Sequence, residues 1–141
     1  MSLLNFAPGD KGLALILYDQ GNSDALQLAT IDPVTGQLTK LKSVSLGAGI
    51  AENAWYRLQM AVVAGAGAIL DATGFVFRHT TPTDPNSAVD GPVGPSLSFQ
   101  GSFSALGLER FGEVGIVASA FSTNVNSSVT NFRIVLCSQP T

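Results

Sequence analysis

One cysteine, one histidine, one tryptophan and two tyrosines are present in a chain of 141 residues, and each scarcity excludes something. A lone Cys137 cannot close a disulfide within the chain or build a cysteine-based metal cluster. Its position near the chain end suits a small hydrophobe closing the last strand. Charge is also thin. Charged residues make up 12%, about half the usual share of roughly 25%, and seven Lys and Arg form no basic stripe. A binder of nucleic-acid backbones is therefore excluded. Low charge beside 45% hydrophobic residues is the reverse of a disordered composition. No run approaches the roughly 18 apolar residues of a membrane span. Met1-Ser2-Leu3 has no positive flank and no following apolar stretch, so no signal peptide is visible. Met1 to Leu3 reads as a cloning remnant, and residues 1–141 as a single domain excised from a longer protein.

What is present is a pattern of strands and turns. No window shows sustained helical spacing of apolar residues. The 15 glycines and 7 prolines fall between short apolar or alternating runs. Leu13 to Asp19 reads as a strand with apolar residues on both sides, as expected for a central strand covered on two faces. Gln20 to Asp24 is a turn and Ala25 to Ile31 a second strand. Asp32-Pro33-Val34-Thr35-Gly36 is a strong turn signal, because Pro presets φ and Gly supplies positive φ. Gln37 to Leu46 is a third strand, and Gly47 to Asn53 a loop. In Trp55 to Val63 the core side is Tyr56, Leu58, Met60 and Val62, with Trp55, Arg57 and Gln59 opposite. Ala64 to Gly67 reads as a tight hairpin turn. Ala68 to His79 reads as one long strand interrupted by a bulge at Gly74. Thr80 to Ser96, with four prolines, is the longest irregular segment. Leu97 to Phe103, Val114 to Phe121 and Val129 to Leu136 bring the total to about eight or nine strands, which predicts an all-β sandwich or barrel.

The order of these segments carries a resemblance. Trp55-Tyr56-Arg57-Leu58 opens a strand, a small-residue hairpin follows, and Phe75-Val76-Phe77 ends the next. Phe111-Gly112-Glu113-Val114-Gly115-Ile116 opens a later strand, and Val129-Thr130-Asn131-Phe132-Arg133-Ile134 the last. Residues 12–136 thus resemble the laminin-G-like members of the concanavalin A-like lectin/glucanase superfamily. The resemblance implies a two-sheet antiparallel β-sandwich of jelly-roll type. It also implies a further strand before Leu13, for which Leu4 to Ala7 is available, pairing with the last strand. By the same analogy the chain is a non-catalytic, secreted or cell-surface recognition module. Its partner would be a carbohydrate or a protein surface.

The chemistry-bearing residues are few. His79 has no nucleophile beside it in a recognisable motif and reads as a surface residue at a strand end. The glutamates Glu52, Glu109 and Glu113 lack the one-strand spacing of a glycosidase carboxylate pair, and Asp19 and Asp71 are far apart, which disfavours a degenerate hydrolase. Calcium is the one cofactor to weigh. Asp84, Asn86 and Asp90 offer oxygen ligands in the long loop, and Asp19 with Asp24 are a weaker set. Local Asx-turn bonding beside prolines accounts for the same residues. For a sugar, the candidates are the aromatics Trp55 and Tyr18 with the polar Arg57, Gln59 and Arg78. A structural domain that assembles with neighbours through an apolar face is the alternative to recognition.

Overall fold

A computed structural model describes residues 2–6, 11–32, 34–65, 67–108 and 113–117, of which 2–6, 64–65 and 113–117 are described by their backbone alone. The described strands are β1 (Ser2–Phe6), β2 (Gly12–Tyr18), β3 (Asp24–Ile31), β4 (Leu38–Gly47) and β5 (Tyr56–Gly65). They continue with β6 (Ile69–His79), β7 (Val89–Pro92), β8 (Leu97–Ser102) and β9 (Glu113–Val117). All pairings are antiparallel and make two sheets. The first runs β4-β3-β2-β1-β9. In the second, β6 pairs with β5 on one side and with β7 and β8 on the other. Among the described residues, α-helix is limited to one turn, Phe103–Leu106, capped by the Ser102 side chain and ended by Gly107 in the left-handed region. Among the described residues no helix is long and apolar enough to cross a membrane.

The core lies between the sheets. Leu13 and Leu15 of β2 and Leu26 and Leu28 of β3 meet Leu70, Ala72 and Val76 of β6 and Leu97 of β8. Strand alternation sends the intervening residues the other way. Ala14, Ile16 and Ala29 form a second apolar cluster on the far side of the first sheet, with Tyr18 packed against it. The expectation of a central strand covered on both faces is met by β2.

Several expectations are corrected. Gly74 is not a bulge. Strand β6 runs unbroken through it, and the register shift falls at Arg78/His79 against β7. The glycine is needed for closeness: a Cβ there would lie 2.6 Å from Leu15 Cδ1. The hairpin turn lies later than expected, because Gly65 still pairs with Ile69, and Gly67 and Ala68 take left-handed φ. The irregular stretch from Thr80 contains β7. Ser2 and Leu3 pair with Ile16 and Leu15 in the β1–β2 ladder. The other neighbour of β1 is β9. The strand expected at Val129 to Leu136, and Cys137, lie outside the described residues.

Three side chains fix the connections. Asp24 is 1% exposed. One carboxylate oxygen accepts the Gln20 N–H at 2.8 Å and the other the Ile50 N–H at 2.9 Å. The start of β3 is thereby joined to the loop that crosses from the first sheet to the second. The Tyr56 hydroxyl accepts the Ala51 N–H in that same loop at 2.8 Å. At the β3–β4 turn, Asp32 Oδ1 accepts the N–H groups of Val34 and Thr35, at 2.8 and 3.1 Å.

Gly74→Ala should destabilise the domain by about 1–3 kcal/mol, through overpacking against a Leu15 that has no room to move. Leu15→Ala should cost about 2–5 kcal/mol. The double variant should lose less than the sum, because the two side chains share one space. Urea unfolding of the three variants measures this, and strict additivity would refute the contact.

The Thr35 and then the Val34 backbone N–H hold the Asp32 carboxyl below its ordinary range. A depressed folded value means that its contribution to the turn is complete above pH ~4 and fades as pH falls through the lower folded value. An NMR titration of the Asp32 side chain should place its midpoint below that of a model peptide, with the Val34 and Thr35 amides moving in step.

Candidate functional site

The outward side of the second sheet is where this chain departs from the usual polar solvent face. Along β5 the inward positions Tyr56, Leu58, Met60 and Val62 pack against the core. Arg57, Gln59, Ala61 and Val63 therefore point outward, and all four are exposed. Along β6 the buried Leu70, Ala72, Gly74 and Val76 alternate with Asp71, Thr73, Phe75 and Phe77 on the outward side. The ladder sets Arg57 opposite Phe77 and Gln59 opposite Phe75. Across β6, Pro92 lies opposite Phe77 and Ser98 opposite Thr73.

Phe75 and Phe77 are half-buried, yet neither belongs to the apolar clusters of the interior. Their rings lie nearly parallel, 22° apart with centroids separated by 5.7 Å. Such a pair contributes roughly 0.5–1.5 kcal/mol beyond its area. Val63 extends the apolar surface towards the hairpin and is 54% exposed. Arg57 and Gln59 make no hydrogen bond or ion pair among the described residues. The face thus offers an aromatic pair flanked by a guanidinium and an amide with unengaged donors.

One end of the face is bordered by the loop after β6. Trp55, half-buried and just ahead of β5, donates its N–H to the Pro82 carbonyl at 2.8 Å. The loop is folded on itself. Thr80 N–H meets Ala88 O at 2.8 Å, and Ser87 Oγ lies 2.8 Å from Asp84 O and accepts the Thr81 N–H at 3.2 Å. His79 is 5% exposed, so the surface position expected of it is corrected. Its Nδ1 lies 2.8 Å from Ser87 O. A carbonyl only accepts, so Nδ1 carries the proton, and the ring anchors the loop.

The structure thus brings together Trp55, Arg57 and Gln59 and separates them from the other two candidates. Arg78 is exposed but falls in the row of Tyr56, out of alternation with Arg57. Tyr18 sits on the far side of the other sheet. For calcium, the Asp84 carboxylate accepts the Asn86 N–H at 2.9 Å, an Asx turn. Asp90 lies beyond that turn, at the β6–β7 register shift. Among the described residues no group of three or more His, Cys, Asp and Glu is placed to hold a metal. Both oxygens of Asp24 are engaged by backbone amides, and Asp19 accepts the Gly21 N–H at 3.4 Å. The Phe pair was not among the residues singled out from the sequence. Its pairing with Gln59 and Arg57 depends on where the hairpin turn falls, and a turn over Ala64 to Gly67 sets a different register from the one observed.

No family model, no curated protein and no solved structure matches the chain.

Phe75→Ala and Phe77→Ala should each leave the fold intact and lower the melting temperature less than Val76→Ala does, although they remove more atoms. Val76 is 2% exposed within the core, whereas the rings lie outside it. Thermal unfolding followed by circular dichroism ranks the three, and a greater loss from either Phe variant would assign the rings to the core.

Proposed function

We propose that this chain is a non-catalytic, extracellular carbohydrate-recognition module of laminin-G-like, jelly-roll type, binding through the outward face of its second sheet. The observation that carries the proposal is the nearly parallel Phe75–Phe77 pair, outside the core and directly across the ladder from exposed Arg57 and Gln59. A sugar ring has one weakly polar face of C–H groups and a rim of hydroxyls. The first suits contact with aromatic rings, and the second suits side chains that donate and accept at the edge of those rings. Trp55, two residues before Arg57, is held at its backbone N–H by the Pro82 carbonyl of the neighbouring loop. Apolar surface with a few convergent polar groups is the usual composition of a ligand site.

The test is a screen of neutral and acidic oligosaccharides by calorimetry on wild type, Phe75→Ala and Phe77→Ala. Binding should be seen in the wild type and fall by at least tenfold in either variant while the melting curve stays cooperative. No heat across the whole set would end the proposal. The face would then pass to a second reading, a protein partner, which the exposure of Val63 beside Ala61 favours.

A further inference from the structure

We infer that the ligand of this face is an acidic glycan, a chain of sugars whose carboxylates pair with Arg57; the inference rests on the carbohydrate reading and names its substrate class. Arg57 stands directly across the ladder from Phe77, so its guanidinium emerges beside the aromatic pair. It is exposed and has no hydrogen-bond or ion-pair partner among the described residues. Arg carries five donors in a rigid planar fork that matches a carboxylate, and a bidentate contact fixes orientation as well as adding attraction. A neutral hydroxyl uses at most part of that fork.

The surroundings do not compete for the cation. Gln59, Phe75, Thr73, Ser98 and Pro92, the nearest outward residues in the ladder, are all uncharged. Asp71, a carboxylate on this face, lies six residues from Phe77 along β6. At roughly 3.3 Å per residue that is about 20 Å, beyond the screening length of about 8 Å at physiological salt. Asp90 is exposed two residues before Pro92 on β7, at the register shift between Arg78 and His79 and two strands across from Arg57. An incoming anion therefore meets a guanidinium that has no ion-pair partner among the described residues, with an aromatic pair beside it. The chain as a whole carries a net charge of −3, so diffuse attraction for polyanions does not produce the same result. The preference has to come from the local contact.

The experiment is calorimetry of the full chain with α-linked hexagalacturonate and β-linked hexamannuronate, each compared with its own methyl ester. The ester keeps the sugar ring and removes the charge. In wild type, one acid form should bind about five- to tenfold more tightly than its ester. That gap should narrow in ~0.5 M salt, as a solvent-exposed ion pair requires. It should close in Arg57→Gln, where acid and ester bind alike, with the melting temperature preserved. Equal binding of acid and ester by wild type, or a gap that survives Arg57→Gln, overturns the acidic preference and leaves carbohydrate recognition standing. Failure to bind either acid or either ester, together with failure to bind any neutral oligosaccharide, overturns both.

Discussion

The approach of Leu15 to Gly74 is the constraint on which the rest of the arrangement depends. At this point one sheet presents a leucine and the other has no side chain, so the layers close to a distance that even a methyl group would obstruct. Because the contact needs no bulge, β6 keeps strict alternation on either side of it. A slip of one residue would exchange the two faces of a strand. Val76 would then turn outward, and Phe75 and Phe77 would turn into the space between the sheets. The packing of the interior therefore decides where the aromatic pair stands. The hairpin, in fixed register with β6, carries Arg57 and Gln59 to the same side.

The few buried polar groups show how irregular segments are held without a helix or a disulfide to brace them. Asp24 is engaged by two backbone amides, one of them from a loop 26 residues away. His79 meets a carbonyl of the loop it precedes. In each case a side chain at the end of a strand stands in for the backbone partner that a loop amide or carbonyl lacks. The same solution recurs on the surface at Asp32 and Asp84, where carboxylates close short turns. Asp24, Asp32 and Asp84 are thus committed to shaping the chain.

Much of the architecture was legible in the sequence, because period-two alternation and turn residues report directly on strands and their ends. The core side of β5, the two-sided burial of β2 and the turn at Asp32 were all read from the residues alone. Gly74 was misread because a glycine inside a strand signals either a bulge or a close approach, and only the opposing sheet, here Leu15, distinguishes them. His79 was misread because its burial depends on Ser87, eight residues further on, folding back over it. The binding face was half legible. Arg57 and Gln59 stood out as polar residues on a strand, whereas Phe75 and Phe77 were read only as the end of the next strand. Apolar type does not reveal which way a side chain points until the register is known. Tyr18 and Arg78 were grouped with them on residue type, and the separate sheets and opposite alternation undo that grouping.

The side chains proposed for binding come from residues 55–77, two neighbouring strands joined by a tight turn. The face is consequently a local product of the chain, assembled by pairing between near neighbours, while the interior is assembled by contacts between distant segments. The outward side chains and those that pack the core stand at alternate positions of the same hairpin. Outward positions are free to drift, so that a lineage could exchange one ligand for another by altering them, and the inward positions would continue to specify the same fold.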